Sequence, residues 1–193
     1  GDVIRVVGDG TQTAEYRAFG TPGLLNKNVN INTTSGLITA TGVEPGDVTG
    51  MAVVNVYFDG GNEVLTITNG VDAGTGLSQA LVVTGTTGGN PFEGAFLWNN
   101  TQVNIDAADV SLGGTDGNDS VTITGGTNAH GNVNVSIITG SAADTVTATG
   151  SLTVTGDINI ASQNIAFNGG TLSVGPAGSI TINAGLGAIT TIG

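Results

Sequence analysis

No cysteine occurs in this sequence, so no disulfide braces it. A chain of this size without bridges must draw its stability from repetition or from burial. Basic residues are almost as scarce. Arg5, Arg17 and Lys27 stand against fifteen Asp and Glu, and from Asn28 to Gly193 there is neither Lys nor Arg. A net charge of −12 cannot neutralise phosphates, which excludes nucleic acid as a partner. An acidic surface suits cations, or solubility in salty water. The long stretch without Lys or Arg offers trypsin-like proteases nothing to cut, which fits a secreted or cell-surface protein. No apolar run reaches the roughly 18 residues of a membrane-spanning helix, so no membrane span is expected. The chain begins GDVIRVV, with no initiating Met and no charged-then-apolar leader, and reads as a processed or excised piece.

What the chain has in quantity is glycine, with 34 residues. The glycines follow no G-X-Y period, so collagen is excluded. Apolar residues make up 38% and charged residues 9%, a balance that does not fit a disordered chain. The apolar residues are mainly Val, Ile, Leu and Ala alternating with Thr, Asn and Ser, which is β composition. Short alternating runs recur, among them MAVVNVYF (51–58), EVLTIT (63–68), TQVNID (101–106), SVTIT (120–124), NVNVSII (132–138), DTVTAT (144–149) and SITIN (179–183). Gly, Asn, Asp or Pro bounds each run. No window has the 3.6-residue period of an amphipathic helix; GVDAGTGLSQA (70–80) is the best place for a helical turn.

The runs also repeat. DGGNEVLTITNG (59–70) lies over TDGNDSVTITGG (115–126), placing Glu63 on Asp119, Leu65 on Val121 and Ile67 on Ile123. AADTVTATG (142–150) matches again, with Asp144 on Asp119 and Val146 on Val121. SLTV (151–154) and TLSV (171–174) echo each other, as do DINI (157–160) and SITI (179–182). A loose period of about 20 to 25 residues made of several small strands predicts a parallel β-solenoid. Passes stacked about 4.8 Å apart would share one core, and glycines with positive φ would turn the corners. The alternative, for the first half, is an antiparallel β-sandwich, because its runs are less regular and its Gly-containing turns suit hairpins. A soft boundary falls near residue 100. Residues 1–100 hold all three basic residues, seven of the eight aromatics and the insertions RAFGTPGLLNKN and TGTTGGNPFEGAFLWNN. Residues 101–193 are nearly pure turn and strand, the regular part of the solenoid.

SLTVTGDINIASQNIAFNGGTLSV (151–174) carries a rhythm, L-x-V, I-x-I, G-G-x-L-x-V, that resembles the repeats of large bacterial surface exoproteins, the filamentous-haemagglutinin-like adhesins. The likeness lies mainly in residues 105–193. It implies a β-solenoid and a cell-surface habit. GTDGNDSVT (114–122) resembles one RTX calcium nonapeptide, G-G-x-G-x-D-x-U-x: Gly114, Gly117, Asp119 and Val121 match, and Thr115 replaces the second Gly.

Calcium takes six to eight oxygens, so Asp116, Asn118 and Asp119 are candidate ligands. Asp106 and Asp109, close upstream, are a second candidate set. Against both stands a plain reading, in which carboxylates cap backbone N–H groups in turns. Phe92, Phe96 and Trp98 form the one aromatic cluster, a candidate sugar platform or subunit contact, or else a plug over the core. His130, between Ala and Gly, reads as a surface turn residue. With one His and few basic groups, catalysis is poorly supplied, and the chain is read as no enzyme. The expectation is a structural or adhesive unit that self-associates into a fibre, with calcium as its candidate cofactor. The rival is a carbohydrate-binding or carbohydrate-active module that recognises a surface glycan.

Overall fold

The computed structural model describes residues 3–19, 28–33, 36–41, 44–58, 61–71, 76, 80–108, 116–126 and 130–192. The segment proposed for a helical turn, 70–80, lies largely outside them. The described residues are all-β, with no α-helix, in parallel and mixed sheets.

A nine-stranded sheet runs in the order β1 (Val3–Val7), β5 (Glu44–Thr49), β9 (Asn90–Trp98), β8 (Ala80–Thr87), β7 (Val64–Gly70), β11 (Ser120–Ile123), β13 (Thr145–Ala148), β16 (Asn164–Asn168) and β19 (Ile189–Ile192). An eight-stranded sheet runs β18 (Ile180–Asn183), β15 (Ile158–Ala161), β12 (Asn134–Ile138), β10 (Gln102–Asp106), β6 (Val53–Phe58), β2 (Thr13–Phe19), β3 (Asn28–Thr33) and β4 (Gly36–Thr41). A small sheet pairs β14 (Ser151–Thr153) with β17 (Thr171–Ser173). Both large sheets continue across residue 100: β10 lies between β6 and β12, and β11 between β7 and β13.

From β10 onward every described pairing is parallel, and the chain visits the sheets in a recurring order. β12, β13 and β14 make one pass, and β15, β16 and β17 make the next. The offsets seen in the sequence are the strand registers. Leu65 pairs Val121 at an offset of 56, and the 25-residue step brings Val146 onto Val121. Ser151 pairs Thr171, 20 residues on, and Ile158 pairs Ile180, 22 residues on.

The reason these runs make strands lies in their alternation. In β6 the burial pattern strictly alternates, with Val54, Val56 and Phe58 buried. Register then stacks like on like. Val56, Ile105, Ile137 and Ile160 form one column, and Leu65, Val121, Val146 and Ile165 another. Both columns belong to one apolar cluster. Each such side chain, taken fully from water, contributes about 1.5–3 kcal/mol before entropy is counted.

Among the described residues of the first hundred, four pairings are antiparallel, β2–β3, β3–β4, β7–β8 and β8–β9. Parallel pairings β1–β5, β5–β9 and β2–β6 join them into the same two sheets, so this half is mixed. The stretch read as an insertion, 84–100, is mostly strand. β8 and β9 form a hairpin closed by Gly88 and Gly89, both at positive φ (54° and 79°). Two positive φ values at the centre of a two-residue loop are what a type I′ turn demands. Within the hairpin, Glu93 and Gly94 stand opposite the single residue Thr84, a β-bulge that shifts the alternation of β9.

Corner glycines serve a second purpose beside positive φ. A Cβ on Gly150 would overlap the Thr124 carbonyl, and one on Gly187 the Gln163 carbonyl. Neighbouring passes approach too closely there for any side chain.

Candidate functional site

Three strands of the nine-stranded sheet begin in the same way. Glu63 precedes β7, Asp119 precedes β11 and Asp144 precedes β13. The inward residues that follow are Leu65, Val121 and Val146, each two positions on. A period of two therefore turns the three acids inward as well. All three are buried, at 0%, 2% and 0% exposure.

Stacked acids in a core need partners, and the neighbouring pass supplies them. The Glu63 N–H donates to Asp119 Oδ1 at 2.9 Å, and the Asp119 N–H donates to Asp144 Oδ1 at 2.9 Å. The Thr87 hydroxyl donates to Glu63 Oε1 at 2.8 Å. Asp116 joins from the preceding turn; its Oδ2 accepts both the N–H and the hydroxyl of Ser141, each at 2.7 Å. Asp116, Asp119 and Asp144 each bring one carboxylate oxygen into a set lying within 4.8 Å. Each also keeps one buried oxygen with no hydrogen-bond donor among the described residues: Asp116 Oδ1, Asp119 Oδ2 and Asp144 Oδ2.

The electrostatics follow. Burial pushes Asp119 up to about 6, helped by the charges of Asp144 and Asp116 and opposed by hydrogen bonding from Glu63. Burial raises Asp144 too, with the Asp119 N–H opposing it and the Asp116 charge adding to it. Among the described residues no basic side chain relieves this cluster. Arg5 lies 3.5 Å from Asp47, and Arg17 lies 2.9 Å from Glu15.

Asp116 and Asp119, candidates from the sequence, are thus brought together. Asn118 is exposed and outside the converging set; its carbonyl accepts the Ala143 N–H at 3.1 Å, as Asn62 accepts that of Asn118 at 3.0 Å. Asp106 belongs to β10 of the other sheet and caps the Ala108 N–H at 3.0 Å. Asp109 lies outside the described residues. Asp144 was visible in the sequence as a repeat of Asp119, but the register of β13 on β11 is what sets it beside that residue.

The aromatic cluster divides. The bulge in β9 turns Phe92 inward, where its ring packs 5.2 Å from that of Phe58. Trp98 is half-buried, with its indole N–H donating to Asp47 at 2.8 Å and the Arg5 guanidinium 4.9 Å from its ring centroid. These contacts tie β1, β5 and β9 together. Phe96 is half-buried, two residues before Trp98.

His130 is a correction to the sequence reading. It is buried, at 1% exposure. Its Nδ1 accepts the Asn132 N–H at 3.0 Å, and burial lowers its pKa to about 4. Beside it runs a buried asparagine ladder that the sequence reading missed. Asn132 Oδ1 accepts the Asn100 N–H at 2.9 Å, and Asn100 Oδ1 accepts the Met51 N–H at 3.0 Å. Three passes are joined by side chains that replace missing backbone partners. The signal was there, since Asn100 and Asn132 each fall just before a strand.

No protein-family model, curated protein or solved structure matches the chain.

What distinguishes the far end of the molecule is exposure. The columns that run through Ile158 and Ile165, both 1% exposed, end on Ile180 at 41% and Ile189 at 53%. Leu172, Val174 and Ile182 are only partly buried against the same core.

Proposed function

We propose that this chain is a parallel β-solenoid structural unit, secreted or held at a cell surface, that stacks end to end with copies of itself into a fibre. The observation that carries this reading is the pair of outer strands in the nine-stranded sheet. β1 lies at one edge and β19 at the other. The pairings β7–β8 and β8–β9 are antiparallel and all other steps are parallel, so the two reversals cancel. β1 and β19 therefore point the same way. The β19 edge of one copy can accept the β1 edge of the next in the parallel sense already used within the sheet.

An unpaired edge is a template for another strand. At this end the template is apolar as well, because β18 and β19 leave Ile180 and Ile189 without the covering pass that buries their predecessors. The repeat rhythm of residues 151–174 supports the same reading, as does the acidic surface, which keeps such rods soluble. The work is mechanical rather than catalytic: Asp119, Asp144 and Asn132 spend oxygens on ladder hydrogen bonds.

Electron microscopy of the purified chain tests it. Wild-type protein is expected to form filaments or end-to-end oligomers. Ile189→Lys alters a half-exposed side chain on the outermost strand, so the single copy should fold while filaments are lost. Deleting residues 1–7 should have the same effect from the other end. Isolated particles at high protein concentration, or filaments unchanged by both variants, would refute the reading.

A further inference from the structure

The Asp116, Asp119 and Asp144 cluster is more than a set of caps. Capping uses one oxygen of each carboxylate, and one buried oxygen of each remains without a donor. Leaving buried charged oxygens bare is costly. A fold in need of N–H caps alone could use Asn at these positions, as it does at Asn62, Asn100 and Asn132. Here it uses three acids whose oxygens converge within 4.8 Å, in a sequence with no Lys or Arg after residue 27.

We infer that these three carboxylates hold one calcium-sized divalent cation, clamping the turn before β11 to the start of β13. Hard cations take oxygen ligands, and the cluster offers three from two adjoining passes. Oxygens on opposite sides of a calcium sphere lie about 4.6–5.2 Å apart, so a set whose members all lie within 4.8 Å of one another can share one such sphere. Asp116 is only half-buried, and Gly140 and Ser141, which adjoin its Oδ1 and Oδ2, also line a cleft of about 220 Å³. The site lies within one chain and does not depend on end-to-end stacking.

Calorimetric titration of calcium chloride into chelator-stripped full-length protein, at physiological salt, tests the inference. One site is expected, with magnesium binding more weakly, and calcium should raise the melting temperature by about 5 °C relative to chelator. Asp144→Asn keeps an oxygen for the Asp119 N–H but removes the charge. It should weaken calcium binding at least tenfold and abolish the thermal shift. Should that variant fold poorly, Asp116→Asn, at the half-buried position, should weaken binding likewise. Asp157→Asn, a fully exposed acid that caps Ser179, should change neither reading. No calcium heat and no thermal shift in the wild type would overturn the inference. So would wild-type affinity in a folded Asp144→Asn or Asp116→Asn protein.

Discussion

Gly117→Ala is expected to destabilise the fold by about 4 kcal/mol or more, one of the largest effects a single methyl can have. A Cβ at this position would fall on the carbonyl of Gly61 in the neighbouring pass and crowd the Asn62 nitrogen. The obstacle is backbone, so no rotamer relieves it. Nor can the two passes separate locally, because Asn118 N–H to Asn62 Oδ1 and Glu63 N–H to Asp119 Oδ1 tie them on the C-terminal side of the clash. A control separates close approach from backbone strain. Gly169 has φ of 74° but open space around its would-be Cβ, so Gly169→Ala should cost only about 1–2 kcal/mol. Urea denaturation of both variants measures the difference. Equal losses would mean that the passes are not stacked as closely as described.

The second large effect is on pH dependence, and it comes from two buried groups acting in opposite senses. Asp119 has a folded pKa raised from 3.8 to about 6. Between those values the unfolded chain gives up its proton first, so this group's stabilisation is present below pH 3.8 and is lost as pH rises to 6. Asp144, also raised, adds to that loss. His130 has a folded pKa lowered from 6.5 to about 4. The unfolded chain takes up the proton first, so its stabilisation is present above pH 6.5 and is lost as pH falls to 4. Each shift of roughly two units is worth on the order of 3 kcal/mol. With divalent ions chelated, the wild-type slope between pH 4 and 6.5 should be shallow because the terms oppose. Asp119→Asn keeps the oxygen that caps Glu63, and its stability should rise with pH relative to the wild type across that window, with the Asp144 contribution still opposing His130. His130→Gln should instead fall. Urea midpoints at half-unit pH intervals measure this, and parallel curves for the three proteins would show that neither group titrates abnormally.

The positions of these groups explain how far the residues could be read in advance. Alternation is a local property, so E-x-L-x-I at 63–67, D-x-V-x-I at 119–123 and D-x-V-x-A at 144–148 mark strands and the side that faces inward. The repeat offsets, 56, 25, 20 and 22, turn out to be registers because stacking demands that like residues superimpose. Local patterns did not reveal the Gly88–Gly89 hairpin within the stretch read as an insertion. Nor did they show that one extra residue in β9 turns Phe92 into the core. His130 looked exposed because its immediate neighbours, Ala129 and Gly131, are small; burial depends on what another pass lays over it.

By itself, then, the sequence determined the β class, the inward and outward faces of the regular strands and the spacing of the repeats. Each of these is written in residues close together along the chain. Only the tertiary structure decided that Asp144 meets Asp119 and Asp116, that Asn132 caps Asn100, and that β1 and β19 are parallel outer strands of one sheet. Those facts depend on how passes tens of residues apart come into register, which no window of local sequence contains.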